Sequence, residues 1–134
     1  SINAFAPILL AKSIEEFIPK DSSFNFASIS ARVGSIGDNK TGGWYSYRAA
    51  KSAQNQLLKS LSIEWRRKFP KSIITLLHPG TVNTYLSKPF QKFVPENKLF
   101  STERASKHLI DILINQKPED SGKFFAWDGL EIPW

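Results

Sequence analysis

The stretch that most limits the fold is Ile73-Ile74-Thr75-Leu76-Leu77, which runs unbroken between Pro70 and the sharp break at His78-Pro79-Gly80. A short apolar run bounded by turn signals reads as a strand buried on both faces. Such a strand belongs inside a parallel sheet with helices on either side. The neighbouring segments supply them. Ile8-Leu9-Leu10, Ile14 and Phe17-Ile18 recur at helical spacing, with Pro7 in an early turn or at an entry kink. They predict a helix over 2–18, ended by Pro19-Lys20-Asp21. Phe24-Asn25-Phe26-Ala27-Ser28-Ile29-Ser30 alternates apolar with polar and reads as a strand. A loop rich in Gly, Asn, Asp and Ser follows to Gly43. A long helix is then expected over 45–69, with Ala49, Ala50, Ala53, Leu57, Leu61 and Trp65 as its apolar stripe and Pro70 as its stop. Residues 81–100 read as irregular. Thr102 is placed as the cap of a helix reaching Asn115, with Leu109, Ile110, Leu113 and Ile114 inside, and 122–127 read as a last strand.

Helices and strands thus alternate three times. This predicts an α/β fold, the C-terminal part of a doubly wound, Rossmann-like parallel sheet of three strands alternating with helices, joined by right-handed crossovers. Three strands make a narrow sheet, with one edge expected to be bare. The 134 residues suffice for one core, and 41% hydrophobic with 22% charged is a globular balance. No apolar run reaches the roughly 20 residues a bilayer requires, so no membrane partner is expected. The opening Ser1-Ile2-Asn3-Ala4-Phe5-Ala6-Pro7 has no basic region and is not read as a secretory signal. Cysteine is absent, which excludes disulfides, thiolate metal sites and cysteine nucleophiles and is compatible with the cytoplasm. Methionine is absent too, and the chain is expected to be a fragment or processed product. The net charge is +6, but its densest cluster, Arg66-Arg67-Lys68, falls at a helix C-terminus where cations offset the macrodipole. No nucleic-acid recognition motif accompanies it, so no nucleic-acid partner is expected.

Chemistry is concentrated in Trp44-Tyr45-Ser46-Tyr47-Arg48-Ala49-Ala50-Lys51. Tyr47 and Lys51 stand four apart at the head of the long helix, so both leave one face. An ammonium one turn away favours the tyrosinate, and the pair can exchange a proton with a carbonyl or alcohol oxygen. The plainer alternative is a surface helix that happens to carry both residues. Ligands of open α/β sheets gather beyond the carboxyl ends of the strands. Three pieces are expected there: Ser30 to Ser35, the head of the Tyr47 helix, and His78-Pro79-Gly80-Thr81-Val82-Asn83-Thr84.

Together with Ile29-Ser30-Ala31-Arg32-Val33-Gly34-Ser35-Ile36-Gly37-Asp38-Asn39, Gly42-Gly43 and the closing Trp127-Asp128-Gly129-Leu130-Glu131-Ile132-Pro133-Trp134, these segments resemble the short-chain dehydrogenase/reductase superfamily. The resemblance covers essentially the whole chain and is nearest the C-factor-like carbonyl-reductase branch. It implies that residues 1–134 are the C-terminal half of a single Rossmann-like dehydrogenase domain, without the N-terminal dinucleotide-binding half. It implies NAD(P) as cofactor and a small carbonyl or alcohol compound as substrate. Tyr47 would be the general acid/base, and Lys51 would support it and bind the nicotinamide ribose. Asn3 would hold a proton-relay water, with helix capping as its alternative. Pro79, Gly80, Val82 and Thr84 would pack around the nicotinamide, although the sequence alone favours an ordinary strand-ending turn for Pro79-Gly80. The family's usual serine falls on Ala31, which leaves Ser30, with Ser35 second, as the catalytic hydroxyl. The helices at 2–18 and 45–69 match that family's dimer surface. A non-enzymatic alternative is a dehydrogenase-like scaffold used for cofactor sensing or signalling. Gly37 to Gly43 lacks the Lys-Ser/Thr of a phosphate loop, and His78 and His108 have no companion motif for a metal or hydrolase site.

Overall fold

The computed structural model describes residues 2–134; Ser1, at the head of the opening stretch read above, lies outside the described residues. The main elements are α1 (Ile2–Ile14), β1 (Phe24–Ile29), α2 (Tyr45–Lys68), β2 (Ser72–His78), β3 (Thr81–Val82), β4 (Leu99–Phe100), α3 (Thr102–Ile114) and β5 (Lys123–Ala126). The three expected strands form one parallel sheet in the order β1-β2-β5. Its register pairs Phe24 with Ser72, Ile29 with Leu77, and His78 with Ala126. The outer edge of β1 has no partner strand among the described residues.

Residues Ser72 to Leu77 of β2 are all buried, as the unbroken apolar run requires. Alternation along the strands assigns the covering helices. Phe24 and Phe26 pack edge-on against Trp65 of α2. Asn25, pointing the other way, donates to the Leu113 carbonyl of α3 at 3.0 Å. Leu58, Leu61, Trp65, Phe69, Ile74, Leu76 and Phe124 form the main core between α2 and the sheet. The end of α1 is tied to that core through Glu15. Its Oε1 accepts from Trp65 Nε1 at 2.9 Å and from Lys68 Nζ at 2.8 Å. Chiefly through Lys68, these partners hold the Glu15 carboxyl below the usual carboxylate range.

Several expectations change. The inward face of α2 is not the alanine-rich stripe: Ala49 is exposed, Ala50, Ala53 and Leu57 are half-buried, and the buried positions are Gln54, Asn55, Leu58, Leu61, Ser62 and Trp65. The face is rotated because polar groups on α2 find hydrogen-bond partners beneath the helix. Ser101, not Thr102, caps α3, its Oγ accepting from Arg104 N at 3.2 Å. Ile110 and Ile114 are 53% and 74% exposed rather than inside, because α3 turns Ala105 inward and no described residue covers its other side. Within 81–100, β3 and β4 make a two-residue parallel pair, Thr81 with Leu99 and Val82 with Phe100, too short to leave a periodic signal.

Candidate active site

The carboxyl ends of β1, β2 and β5 open on one rim of the sheet, and the head of α2 is brought to it by an unusual arch. Gly42, Gly43 and Trp44 all have positive φ, at 68°, 70° and 55°. Two glycines take that conformation freely, whereas Trp44 bears strain. Arg48 clasps the arch: its Nε donates to Gly43 O at 2.9 Å and its Nη2 to Gly42 O at 3.1 Å. Trp44 then lies edge-on to Phe90, with centroids 5.3 Å apart, and tilted toward Tyr47 at 6.4 Å. Tyr47 is therefore presented in the first turn of α2 and is 42% exposed.

Lys51, one turn on, is half-buried. Its Nζ donates to the Ile29 carbonyl at the end of β1 at 3.4 Å and to Gln54 Oε1 at 3.0 Å. Gln54 Nε2 donates in turn to Ser28 Oγ at 2.8 Å and to the same Ile29 carbonyl at 3.0 Å. Burial holds the Lys51 ammonium below the usual lysine range. The turn after β1 approaches this helix closely. A Cβ at Gly34 would lie 2.9 Å from Lys51 Cβ and 3.0 Å from Asn55 Nδ2, so glycine is required for the contact. Ser52 Oγ reinforces it by donating to Gly34 O at 2.8 Å.

The two serines flanking this turn face different partners. Ser30 is buried, and its hydroxyl hydrogen goes to Asn55 Oδ1 at 2.6 Å. Ser35 is also buried; its hydroxyl donates to the Pro133 carbonyl of the C-terminal tail and accepts from Asp38 N at 3.0 Å. That tail is seated by Ile132 N donating to Phe124 O at 2.7 Å and by Trp134 stacking on Phe124. Asn3 is exposed near the start of α1. Pro7 lies within the same helix and has no N–H, so the Asn3 carbonyl lacks its i+4 donor.

Beyond β2, Pro79 and Gly80 are half-buried at the rim. Gly80 has φ 76°, and a Cβ there would sit 2.6 Å from the Phe100 ring, so both conformation and space demand glycine. Val82 lies in β3, and Asn83 N donates to Phe100 O at 2.8 Å. Thr84 is exposed, its N–H donating to Ser87 Oγ at 3.2 Å. Arg48, Gln54 and Asn55 were not singled out by sequence reasoning. Their signal was spacing: Gln54 and Asn55 follow Lys51 by three and four residues and so share its face.

His78 closes β2, and its Nδ1 is buried without a hydrogen-bond partner among the described residues. Burial, aided by Arg32, pushes its imidazole down from the usual 6.5 to about 4, against weaker pulls from Asp128 and Asp38. The unfolded chain therefore binds this proton more readily, and stability present above 6.5 is lost as the pH falls toward 4. His78→Asn should flatten that part of the curve, a difference on the order of 3 kcal/mol. Urea denaturation of both proteins at about pH 7 and about pH 4.5 measures it, and an unchanged slope in the variant would exclude His78 as the source.

No family model matches the chain. It is 30% identical over 135 residues to C-signal of Myxococcus xanthus, covering 100% of this chain and 75% of that protein. It is 33% identical over 135 residues to 1-hydroxy-2-glutathionyl-2-methyl-3-butene dehydrogenase of Rhodococcus sp. (strain AD45), covering 99% of this chain and 56% of that protein. Among solved structures, the carbonyl reductase Sniffer of D. melanogaster superposes with a TM-score of 0.80 at 26% identity, over 98% of this chain and 54% of that one. The NADPH-bound carbonyl reductase from chicken fatty liver superposes at 0.77, also at 26% identity, over 98% and 54%. Fold and site together define an α/β protein of the Rossmann-like class. The chain belongs to the short-chain dehydrogenase/reductase superfamily. It spans three-quarters of C-signal and about half the length of the other relatives named here.

Proposed function

We propose that this chain is the acid/base half of an NAD(P)-dependent carbonyl reductase, the C-terminal half of a single Rossmann-like domain. The observation that carries the reading is Lys51, half-buried one turn after Tyr47 and anchored to the end of β1 through Ile29 O and Gln54 Oε1. An ammonium has three donors. Two are used here, and the third is left for a ribose hydroxyl, which is the donor set a nicotinamide nucleotide needs. Pro79, Gly80, Val82 and Thr84 would border it. When bound, the nicotinamide supplies the hydride to the carbonyl carbon. Tyr47 gives its hydroxyl proton to the carbonyl oxygen, and the Lys51 charge stabilises the tyrosinate left behind. The Asn3 carbonyl, without its helical donor, is the place for a relay water that returns the proton. Ser30 takes a positioning role in this reading, since its hydrogen is given to Asn55.

A homodimer through α1 and α2 is part of the same proposal, supported by Ile2, Phe5 and Leu9, each half or more exposed along one side of α1. No helix among the described residues is long and apolar enough to cross a membrane, and the proposed location is the cytoplasm. A second reading, a cofactor sensor or signalling scaffold, is favoured by Ala31 at the usual serine position. Titrating the complete protein with NADPH and NADH against a panel of aldehydes and ketones separates the two. Oxidation of the reduced cofactor is expected with at least one class of carbonyl compound. Saturable cofactor binding with no turnover across the panel would favour the sensor.

A further inference from the structure

A cavity of about 420 Å³ opens on the same rim, walled by residues that follow all three sheet strands: Arg32 after β1, His78 and Thr81 at and beyond the end of β2, and Trp127 after β5, with Phe93 and Lys98 from the intervening segment. Its lining is two-sided. Phe93 and Trp127 offer apolar surface, while Arg32 and Lys98 bring two cations. Lys98 is exposed and makes no ion pair among the described residues. Arg32 reaches Asp38 Oδ1 only at 3.5 Å through one nitrogen, which leaves most of its donor fork free. Asp128 also lines the cavity, but its Oδ1 is turned back to accept from Leu130 N at 3.1 Å. The unpartnered buried Nδ1 of His78 adds a hydrogen-bonding atom without an internal use. A buried polar atom left unmatched is costly unless a ligand or water meets it.

We propose that this cavity binds a carboxylate carried on the carbonyl substrate, held between Arg32 and Lys98, with the substrate's apolar body against Phe93 and Trp127. Guanidinium forks match carboxylates in two-bond geometry, and an ammonium beside them adds a second charge-assisted bond. Calling the ligand a substrate rests on the reductase reading; the anion site itself does not. The cations select for charge, and the aromatic walls select for a ring or chain of matching width.

Isothermal titration of the complete protein, with NADP present, tests this using benzoate and its neutral counterpart benzamide. Benzoate is expected to bind about tenfold or more tightly than benzamide, and its affinity should fall with added salt. Lys98→Ala and Arg32→Ala should each weaken benzoate by roughly fivefold to tenfold and leave benzamide unchanged. Lys98 is a surface side chain, so its variant folds even if the Arg32 one does not. Equal affinity for benzoate and benzamide would overturn the proposal, as would benzoate binding that survives in both variants. Phenyl phosphate binding more tightly than benzoate would replace the carboxylate with a phosphate ester and overturn the assignment. No turnover enters these measurements. A protein that binds benzoate yet reduces no carbonyl compound would retain the anion site and remove only the reductase reading.

Discussion

Tyr47→Phe is expected to lower the reductase turnover of the complete protein by roughly 10³-fold, within the range general acid–base catalysis contributes, while leaving its thermal unfolding unchanged. The substitution removes one oxygen. Among the described residues the Tyr47 hydroxyl makes no hydrogen bond, and its ring keeps its packing beside Trp44 as phenylalanine. No structural bond is therefore lost, and the change in stability should stay within about 0.5 kcal/mol. In the proposed mechanism, the substitution removes the proton that Tyr47 would deliver to the substrate oxygen. Lys51 substitutions are less clean, because Lys51 also ties Ile29 and Gln54 together. The measurement is NADPH oxidation under saturating substrate, with circular dichroism as the control for folding. Turnover close to that of the unaltered protein would remove Tyr47 from the chemistry.

The largest effect on stability is expected at Trp65. Its ring is fully buried and meets Phe24, Phe26 and Phe69 edge-on, at centroid distances of 5.6, 5.9 and 5.4 Å. Its indole N–H is satisfied by Glu15 at 2.9 Å. Trp65→Ala opens a large cavity where α1, α2 and β1 meet and frees Glu15 from one partner. The expected cost is about 4 kcal/mol, a large share of the 5–15 kcal/mol typical of a folded domain. Trp65→Phe, which keeps an aromatic ring but not the N–H, should cost less. Urea denaturation of the complete protein reads both. A loss below about 1 kcal/mol for the alanine variant would mean that this corner repacks and is not a fixed part of the core.

Legibility differed by residue type. The β2 run was readable because burial on both faces demands an unbroken apolar sequence, and Pro70 and Pro79-Gly80 marked its ends. The inward face of α2 was not readable from apolar spacing. Gln54, Asn55 and Ser62 look like surface residues in a periodicity count, yet each is buried, and Gln54 and Asn55 hold the end of β1. Hydrogen-bond partners 25 residues away leave no trace in a local pattern. Ile110 and Ile114 show the reverse case, apolar residues in helical register that stay exposed among the described residues.

The order of elements and the placing of Tyr47 and Lys51 on one helical face were properties of the chain itself, because period and spacing are local geometry. Only the tertiary structure decided which partners the hydroxyls took. Ser30 was drawn to Asn55 and Ser35 to the C-terminal tail, by groups far away in sequence. It also decided that Arg32, His78, Lys98 and Trp127, which share no motif, meet around one cavity. Parallel strands bring their carboxyl ends to a common rim, and that convergence is set by the sheet and not by any single segment.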